Sequence, residues 1–543
     1  MRHFVPAILA LCTALAAPAC SPDPKSVSDQ TKILKTSKSD KQKVKAVENI
    51  RALGPETAAS ALVPILQGPP KPSPQVVLAS AKALAGNKDP KVVDALCEAI
   101  DMSAGSDNSG ANAANKEIAR ALTDIGDPKA APYMARLLKV TRDSYVSIEA
   151  IAALAKFRDP STADVLIQTA ENDRLEAMIN KKALAALGEL KTEKALPTFI
   201  WMLFYERRGS SFFPESAMGI FRLGDKAVRP LIAIIDGSDK ELLAKAKEEK
   251  MNPAALVAKA AQVLGDLGSR EAVPGLLKLL RYSNEDDLRA QYFVRMAAAD
   301  SLGRLRAKEA VKPLQSMLGE EETMARQTYI RALFMIGDPS TAAKLTGCAA
   351  KDHWLLRDVC MYGLAMLSPA KDAKLFDGYE KNARKLFMKD CEDYGIFGDI
   401  DCVTEGKKDF ETMKAAMKSY RTAIEAAGAC GRDRDCLAKN LSHEEPKVRE
   451  RAAYELGRLG GTASVAPLLE AIHRPMETDK DVAPRFAAVL GLDWATRDDA
   501  EARAAARKDI PALLAQVEKE KTKRLSQASA EDIQRLAAKL ERD

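Results

Sequence analysis

The cysteines are the residues whose type and spacing most clearly suggest chemistry. Nine occur among 543 residues, and six of these lie between residues 348 and 436 as three pairs of close neighbours. Such a cluster is typical of a protein that folds in an oxidising compartment and forms disulfides. We predict local bridges, with a crossed pairing as the alternative, between Cys348 and Cys360, Cys391 and Cys402, and Cys430 and Cys436. Cys97 is expected to be a buried, reduced thiol.

Residues for catalysis or metal binding are sparse. The sequence has four histidines, and none lies beside a nucleophile motif or a second set of metal ligands. No C-x-x-C, G-x-S-x-G or H-E-x-x-H motif is present, and the acidic stretch from Asp390 to Cys402 does not match the spacing of an EF-hand. We therefore predict no catalytic residue, no metal site and no cofactor, with metal binding by the cysteines as the open alternative.

The first twenty residues are typical of an export signal. An apolar run from Phe4 to Ala17 is followed by the small-residue stop Ala17-Pro18-Ala19 and then by Cys20. This order resembles a bacterial lipoprotein signal, although Ala17 stands where a lipobox usually has leucine. We expect a lipid on Cys20, or otherwise a soluble secreted product that begins with an unmodified cysteine. Ser21 favours the outer membrane and a periplasm-facing protein.

One loop has the composition of a partner site. The stretch YERRGSSFFPES, from Tyr205 to Ser216, places two arginines and two phenylalanines around a Gly-Ser turn. Exposed phenylalanine beside arginine suits a protein-binding hot spot, whereas phenylalanines that fold back into the neighbouring helices would have a structural role. The candidate partner-binding residues are Arg207, Arg208, Phe212 and Phe213.

These residues must be positioned by a repeated element. The stretch LGDLGSREAVPGLLKLL, from Leu264, has near-copies whose starts are 31 to 44 residues apart, at Leu122, Leu154, Leu187, Ile220, Leu302 and Leu333. Apolar residues recur at helical spacing on both sides of a central break. The break has a helix-ending residue, an N-cap aspartate and proline, as in Gly126-Asp127-Pro128. Each copy therefore predicts two helices joined by a short turn.

The recurring pattern L-G-x-L-x-x-x-x-A-x-P-x-L-x-x-L resembles the HEAT-like repeats of the phycobilisome-lyase type. The resemblance implies an all-α fold, an α-solenoid of stacked antiparallel helix pairs. One branch of HEAT-like proteins, deoxyhypusine hydroxylase, binds two irons through several His-Glu pairs, but this sequence has a single such pair, His443-Glu444. Pigment-lyase activity is not implied by the repeat alone. The remaining alternative is an enzyme or enzyme subunit of the lyase or hydroxylase kind.

Composition and pattern together give an organisation. The predicted segments are a signal peptide (1–19), a polar tether (20–32), HEAT-like repeats (33–350), a cysteine-rich irregular helical segment (351–440), another repeat (441–495) and a charged helical cap (496–543). A net charge of only +6 disfavours nucleic-acid binding. We expect a monomeric, non-catalytic scaffold that meets the membrane only through its lipid and binds a protein or peptide along the concave face of the solenoid.

Overall fold

The computed structural model describes residues 22–319, 323–351, 354–394 and 406–542. The signal peptide and Cys20 lie outside this part of the chain. The described residues divide into two compact bodies, an N-terminal body up to Ala186 and a C-terminal body from Leu187. Each body is built almost entirely from helices, as the all-α prediction requires.

The N-terminal body contains the helices α1 to α9 and most of α10. Its helices form two layers: α2, α4, α6 and α8 pack in succession, and α3 packs against α5. The bounds are α1 (Val27–Thr36), α2 (Asp40–Ala52), α3 (Pro55–Gln67), α4 (Pro74–Leu84), α5 (Pro90–Glu98), α6 (Ser109–Ile125), α7 (Ala131–Val140), α8 (Ser144–Phe157), α9 (Ala163–Glu171) and α10 (Ala177–Leu190).

The C-terminal body begins with a further helix and a two-stranded hairpin, and then continues as helices. Its bounds are α11 (Leu196–Phe204), β1 (Glu206–Arg207), β2 (Ser210–Ser211), α12 (Phe213–Leu223), α13 (Val228–Ile235), α14 (Lys240–Glu248), α15 (Pro253–Leu267), α16 (Val273–Leu279), α17 (Leu288–Arg304), α18 (Val311–Ser316), α19 (Thr323–Ile336), α20 (Thr341–Lys351), α21 (Trp354–Leu367), α22 (Lys374–Tyr394), α23 (Gly406–Glu425), α24 (Ala427–Cys430), α25 (Arg434–Asn440), α26 (Pro446–Leu459), α27 (Val465–His473), α28 (Val482–Arg497), α29 (Ala500–Arg507), α30 (Ile510–Glu520) and α31 (Gln527–Leu540).

The turn inside each repeat follows from its residues. The side chain of Asp127 accepts a hydrogen bond of 2.9 Å from the backbone N–H of Lys129, and Asp159 and Asp338 do the same two residues ahead. The proline after the aspartate begins a single 3₁₀ turn at Pro128 and Pro160. The second proline of each repeat is the second or third residue of the next α-helix, where its missing N–H costs little, at Pro132, Pro197, Pro230, Pro274, Pro313 and Pro467.

The polar tether predicted for residues 20–32 is wrong in its second half, because α1 begins at Val27. The hydroxyl of Ser26 accepts a hydrogen bond from the N–H of Asp29 at 3.3 Å, which caps the helix. Leu34 and Gln30 are buried, and α1 packs against α2. The helix α1 is therefore held against α2 by one buried face, although most of its residues are polar.

The segment predicted as irregular, residues 351–440, is also more regular than expected. Its described part contains the long helices α22 and α23, which pack side by side. Phe376 and Ala383 on α22, and Met417 and Ile424 on α23, are buried at helical spacing. Their apolar faces therefore pair without the repeat motif.

The end of the chain packs against the beginning of the C-terminal body. The helices α15, α17, α19 and α21 pack in chain order, the succession continues through α23, α26, α28 and α31, and α31 contacts α12. The charged segment predicted as a cap on the last repeat therefore also contacts a repeat more than 300 residues earlier in the sequence. None of the helices in the described part of the chain is long and apolar enough to cross a bilayer.

Candidate functional site

The four candidate partner-binding residues lie in the hairpin between α11 and α12 or directly after it, and Phe212 does not fit that role. Its side chain is 0% exposed and stacks on Tyr205, with ring centroids 6.1 Å apart. Burial of a phenyl ring is strongly favourable, and the β1–β2 pairing holds the residue inward. Of the two alternatives for Phe212, the structure has the inward one, which gives this residue a structural role.

The other three candidates do not build a continuous exposed surface. Arg207 and Phe213 are partly buried, and only Arg208 is exposed. The ammonium of Lys259 lies 5.9 Å from the ring centroid of Phe213 and pairs with Glu206 at 3.2 Å. The hairpin is therefore mainly a packed and ion-paired connection between two helices.

Two of the predicted cysteine pairs are joined in the structure. Cys348 is bonded to Cys360 and Cys430 to Cys436, with Cα atoms 6.0 and 5.5 Å apart. Cys402 and the side chain of Cys391 lie outside the described residues. Cys97 is buried and free, and burial raises the pKa of its thiol to about 12, so the thiolate that would react is disfavoured.

The histidines take part in local hydrogen bonds. Nδ1 of His443 accepts a 3.0 Å hydrogen bond from the N–H of Glu445, the residue that caps α26. Nε2 of His473 lies 2.5 Å from the Asp509 carboxylate, and Nδ1 lies 2.7 Å from Gln516. Within the described ranges, no three His, Cys, Asp or Glu side chains are grouped so that they could hold a metal ion.

A row of arginines closes the C-terminal body, and sequence reasoning missed it. We call Arg451, Arg458 and Arg497 the arginine row. Each donates to backbone carbonyls at the carboxyl end of a repeat helix: Arg451 to Ala365 and Ser368 at 2.8 and 2.6 Å, Arg458 to Phe334, and Arg497 to Arg304 at 3.4 Å. Helix carboxyl ends carry unpaired carbonyls and partial negative charge, which cations stabilise.

The arginine row changes where a partner could bind. The carboxyl ends of α17, α19 and α21 are covered by α26 and α28 of the same chain. The indole N–H of Trp494 also donates to the Arg304 carbonyl at 2.8 Å, and the Tyr454 ring contacts Phe334 with centroids 5.9 Å apart. This surface is therefore occupied by side chains of the same chain.

A buried ionic cluster lies beside the arginine row. The Asp493 carboxylate pairs with Lys539 at 2.9 Å and with Arg497 at 2.5 Å. Although burial opposes ionisation, these two cations hold the pKa of Asp493 well below its usual range. The cluster therefore ties α28 to α31.

Four large apolar side chains are exposed at one equivalent position of different repeats. We call Tyr145, Met178, Phe293 and Met324 the apolar row; they are 71%, 53%, 50% and 64% exposed. Each lies thirteen residues before the left-handed or glycine residue that follows the first helix of its repeat, which is Arg158, Lys191, Arg306 and Gly337 respectively. The equivalent residues of other repeats are small or polar, namely Ala113, Ser211, Ala255 and Lys447.

The apolar row occurs in consecutive repeats within each body. Tyr145 and Met178 are the second residues of α8 and α10, and Phe293 and Met324 lie on α17 and α19, which pack against each other. Sequence reasoning treated apolar residues at helical spacing as core. A count of thirteen residues back from the left-handed or glycine residue after each first helix would have shown that these four residues occupy one equivalent position, which lies outside the core.

Comparisons with known proteins agree with the repeat architecture. The family profile described as HEAT repeats matches residues 108–179 and 291–365, and the PBS lyase HEAT-like repeat profile matches residues 256–282 and 448–473. Comparison with curated protein sequences finds no match.

Structural comparison matches several solved proteins at low sequence identity. A crystal structure of importin beta, obtained in a polyethylene glycol condition, has 11% sequence identity and a TM-score of 0.47. The match covers 93% of this chain and 74% of that chain. Yeast importin-beta (Kap95p) has 13% identity and a TM-score of 0.36, covering 95% and 67%. Human deoxyhypusine hydroxylase has 19% identity and a TM-score of 0.21, covering 52% and 96%.

Proposed function

We propose that this chain, which is a HEAT-repeat protein, is a non-catalytic scaffold that binds a protein or peptide partner. The observation that supports this function is the apolar row. Scattered single apolar residues are normal on a protein surface, but large ones that recur at one register, two in each body, are typical of a contact surface.

The spacing of the apolar row suits a protein partner. Packed helices lie about 8 to 10 Å apart, so Phe293 on α17 and Met324 on α19 offer neighbouring contacts to one partner segment. Tyrosine supplies a rigid, amphipathic contact, and methionine adapts its shape to the surface that it meets. The ammonium of Lys116 lies 5.7 Å from the Tyr145 ring centroid and adds a cation beside the apolar contact.

We further propose that the scaffold is anchored in the bacterial cell envelope by a lipid on Cys20, facing the periplasm from the outer membrane. Support comes from the order of apolar run, small-residue stop and cysteine in the first twenty residues. The two disulfides of the C-terminal body are consistent with an oxidising compartment.

Site-specific photo-crosslinking in cells tests the scaffold function. A photoreactive amino acid at Tyr145 or Phe293 should capture a discrete partner, whereas the same group at the register-matched Ala113 or Ala255 should capture much less. The partner, identified by mass spectrometry and purified, should bind Tyr145→Ser/Met178→Ser or Phe293→Ser/Met324→Ser at least tenfold more weakly than wild type. Equal crosslinking at all four positions, or unchanged affinity of both double variants, would refute the apolar row as the partner surface.

A further inference from the structure

A cavity of about 360 Å³ lies beside the end of α17 in the C-terminal body. Four cationic side chains line it, namely Arg270, Arg306, Lys308 and Arg497, against two acidic ones, Glu309 and Asp498. The cavity is therefore lined by an excess of positive charge. It lies where α28 meets the turn between α17 and α18.

The acidic groups do not neutralise Arg306. Glu309 pairs with Arg270 at 2.9 Å, and Asp498 is exposed and forms no ion pair with Arg306 in the described part of the chain. Arg306 lies over the Trp494 ring with its guanidinium carbon 5.4 Å from the centroid, and its Nε is buried without a hydrogen-bond partner among the described residues. A planar donor group is thus held in place by stacking and has an unused N–H.

The backbone at Arg306 is unfavourable for arginine. Its φ is 52°, in the left-handed region, and it occupies the C′ position of a Schellman motif in which its N–H donates to Gly303 and that of Ala307 donates to Leu302. The equivalent positions of the repeats before and after are Gly268 and Gly337, the residue type that this conformation favours, although Arg158 and Lys191 adopt the same conformation in two earlier repeats.

The electrostatic surroundings are unfavourable as well. Burial, together with the guanidinium groups of Arg458 and Arg497, lowers the pKa of Arg306 to about 10. Arg306 still carries its charge at neutral pH. Residues that break the local rules of a fold without a structural benefit are expected at functional sites.

We propose that this cavity is an oxyanion-binding site in which Arg306 is the principal ligand-binding residue. The guanidinium fork matches the two oxygens of a carboxylate or phosphate, and Lys308 adds a second cation at the rim. The Trp494 ring provides an apolar wall for the part of the ligand that carries the oxyanion. The cavity is large enough for one such group with several waters, since each water occupies about 30 Å³ in the liquid.

The site does not depend on the apolar row, so its test is separate from that of the proposed function. Isothermal titration of the purified full chain with inorganic phosphate, and separately with a hexaglutamate peptide, measures the affinity for each source of oxyanion. We expect saturable binding at one site for at least one probe. Binding of phosphate but not of hexaglutamate would identify a small-anion site. Binding of hexaglutamate, either alone or in competition with phosphate, would identify a site for acidic peptide segments.

Two glycine variants provide the decisive comparison. Arg306→Gly should weaken binding at least tenfold while its Tm stays equal to or above that of wild type, because the left-handed backbone and the like-charge contacts are both relieved. Arg158→Gly makes the same backbone change in the N-terminal body and should leave binding unchanged. Arg306→Lys, which keeps the charge and loses the fork, should give an intermediate affinity.

The proposal would be overturned if wild type bound neither probe saturably at millimolar concentration, or if Arg306→Gly and Arg306→Lys both bound as wild type does. An equal loss of binding in Arg158→Gly would overturn it as well. A marked fall in the Tm of Arg306→Gly would also contradict it, because the arginine would then be structural.

Discussion

Arginine side chains in the C-terminal body have two different roles, which are distinguished by their partners. Arg451 is buried and donates both terminal nitrogens to the carbonyls of Ala365 and Ser368. Such charge-assisted hydrogen bonds give a partner to carbonyls that have none within their own helix. Arg306 has the same chemistry but stacks on Trp494 and lines a cavity instead of donating to a helix-end carbonyl. The first role supports the fold, and the second leaves capacity for a ligand.

The buried ionic cluster depends on Asp493, because its carboxylate pairs with both cations. We expect Asp493→Asn to lower the free energy of unfolding by about 3 kcal/mol, because removing one partner leaves Lys539 and Arg497 as uncompensated buried cations. Chemical denaturation followed by circular dichroism measures this change. The control is Asp498→Asn, an exposed neighbour on the same stretch of chain, which should change stability by less than about 0.5 kcal/mol.

The same variant gives a pH prediction. Because the folded-state pKa of Asp493 is lower than its unfolded value of about 3.9, its contribution is fully present above the unfolded pKa and is lost as pH falls through the folded pKa. The stability difference between wild type and Asp493→Asn should therefore be constant above about pH 5 and should shrink below about pH 4. A difference that grows on acidification would contradict the ion-pair account.

Each repeat is an element that buries its apolar face only against its neighbours. Deleting residues 127–158 from the N-terminal body removes one full period and joins Gly126 to Asp159-Pro160, which restores the Gly-Asp-Pro turn. We expect this variant to remain helical with a cooperative thermal transition. Deleting only residues 127–140 removes α7 and leaves α8 without its pair, so cooperativity should be lost. Similar melting curves by circular dichroism for the two deletions would argue against stacked repeats.

The helix pairs were predictable because their signals are local and repeated. Period, apolar spacing and the Gly-Asp-Pro break all lie within one repeat, so Asp127 and Pro128 indicate a turn without knowledge of distant residues. The helix α1 was missed because Ser26 and Leu34 are single features in a polar segment. Phe212 was left open because sequence alone does not tell whether a phenylalanine beside a turn faces inward or outward.

The closure of the C-terminal body could not be predicted from local patterns. Arg458 and Arg497 have the same spacing as arginines on a solvated helix face, and their partners are carbonyls 124 and 193 residues away. Backbone carbonyls carry no sequence signal, so such contacts leave no motif. The apolar row differs in this respect, since its register is present in the sequence once the helix ends are known.

At the scale of the whole molecule, the last helix connects late and early elements of the C-terminal body. Besides packing on α12, α31 contributes Lys539 to the pair with Asp493, and Glu541 after it pairs with Lys191 at 3.2 Å. The carbonyl of Leu540 accepts a 2.6 Å hydrogen bond from Arg507. Contacts between α31 and the first repeats of this body limit fraying of α31. In an open array of repeats, the last helix has only a polar cap to protect it.

Anchoring by Cys20 would hold this scaffold at a surface, and it makes a prediction about the whole protein. In cell fractionation, wild type should be found with the membranes and be released by detergent, whereas Cys20→Ser should appear in the soluble periplasm, because the thiol that carries the lipid is absent. Cys12→Ser, a change inside the apolar run, keeps Cys20 and should fractionate as wild type does. Mass spectrometry of the amino-terminal peptide provides the second measurement. A wild-type protein that is soluble and begins with an unmodified Cys20 would show that export ends in secretion, and partner binding would then have to occur away from the membrane.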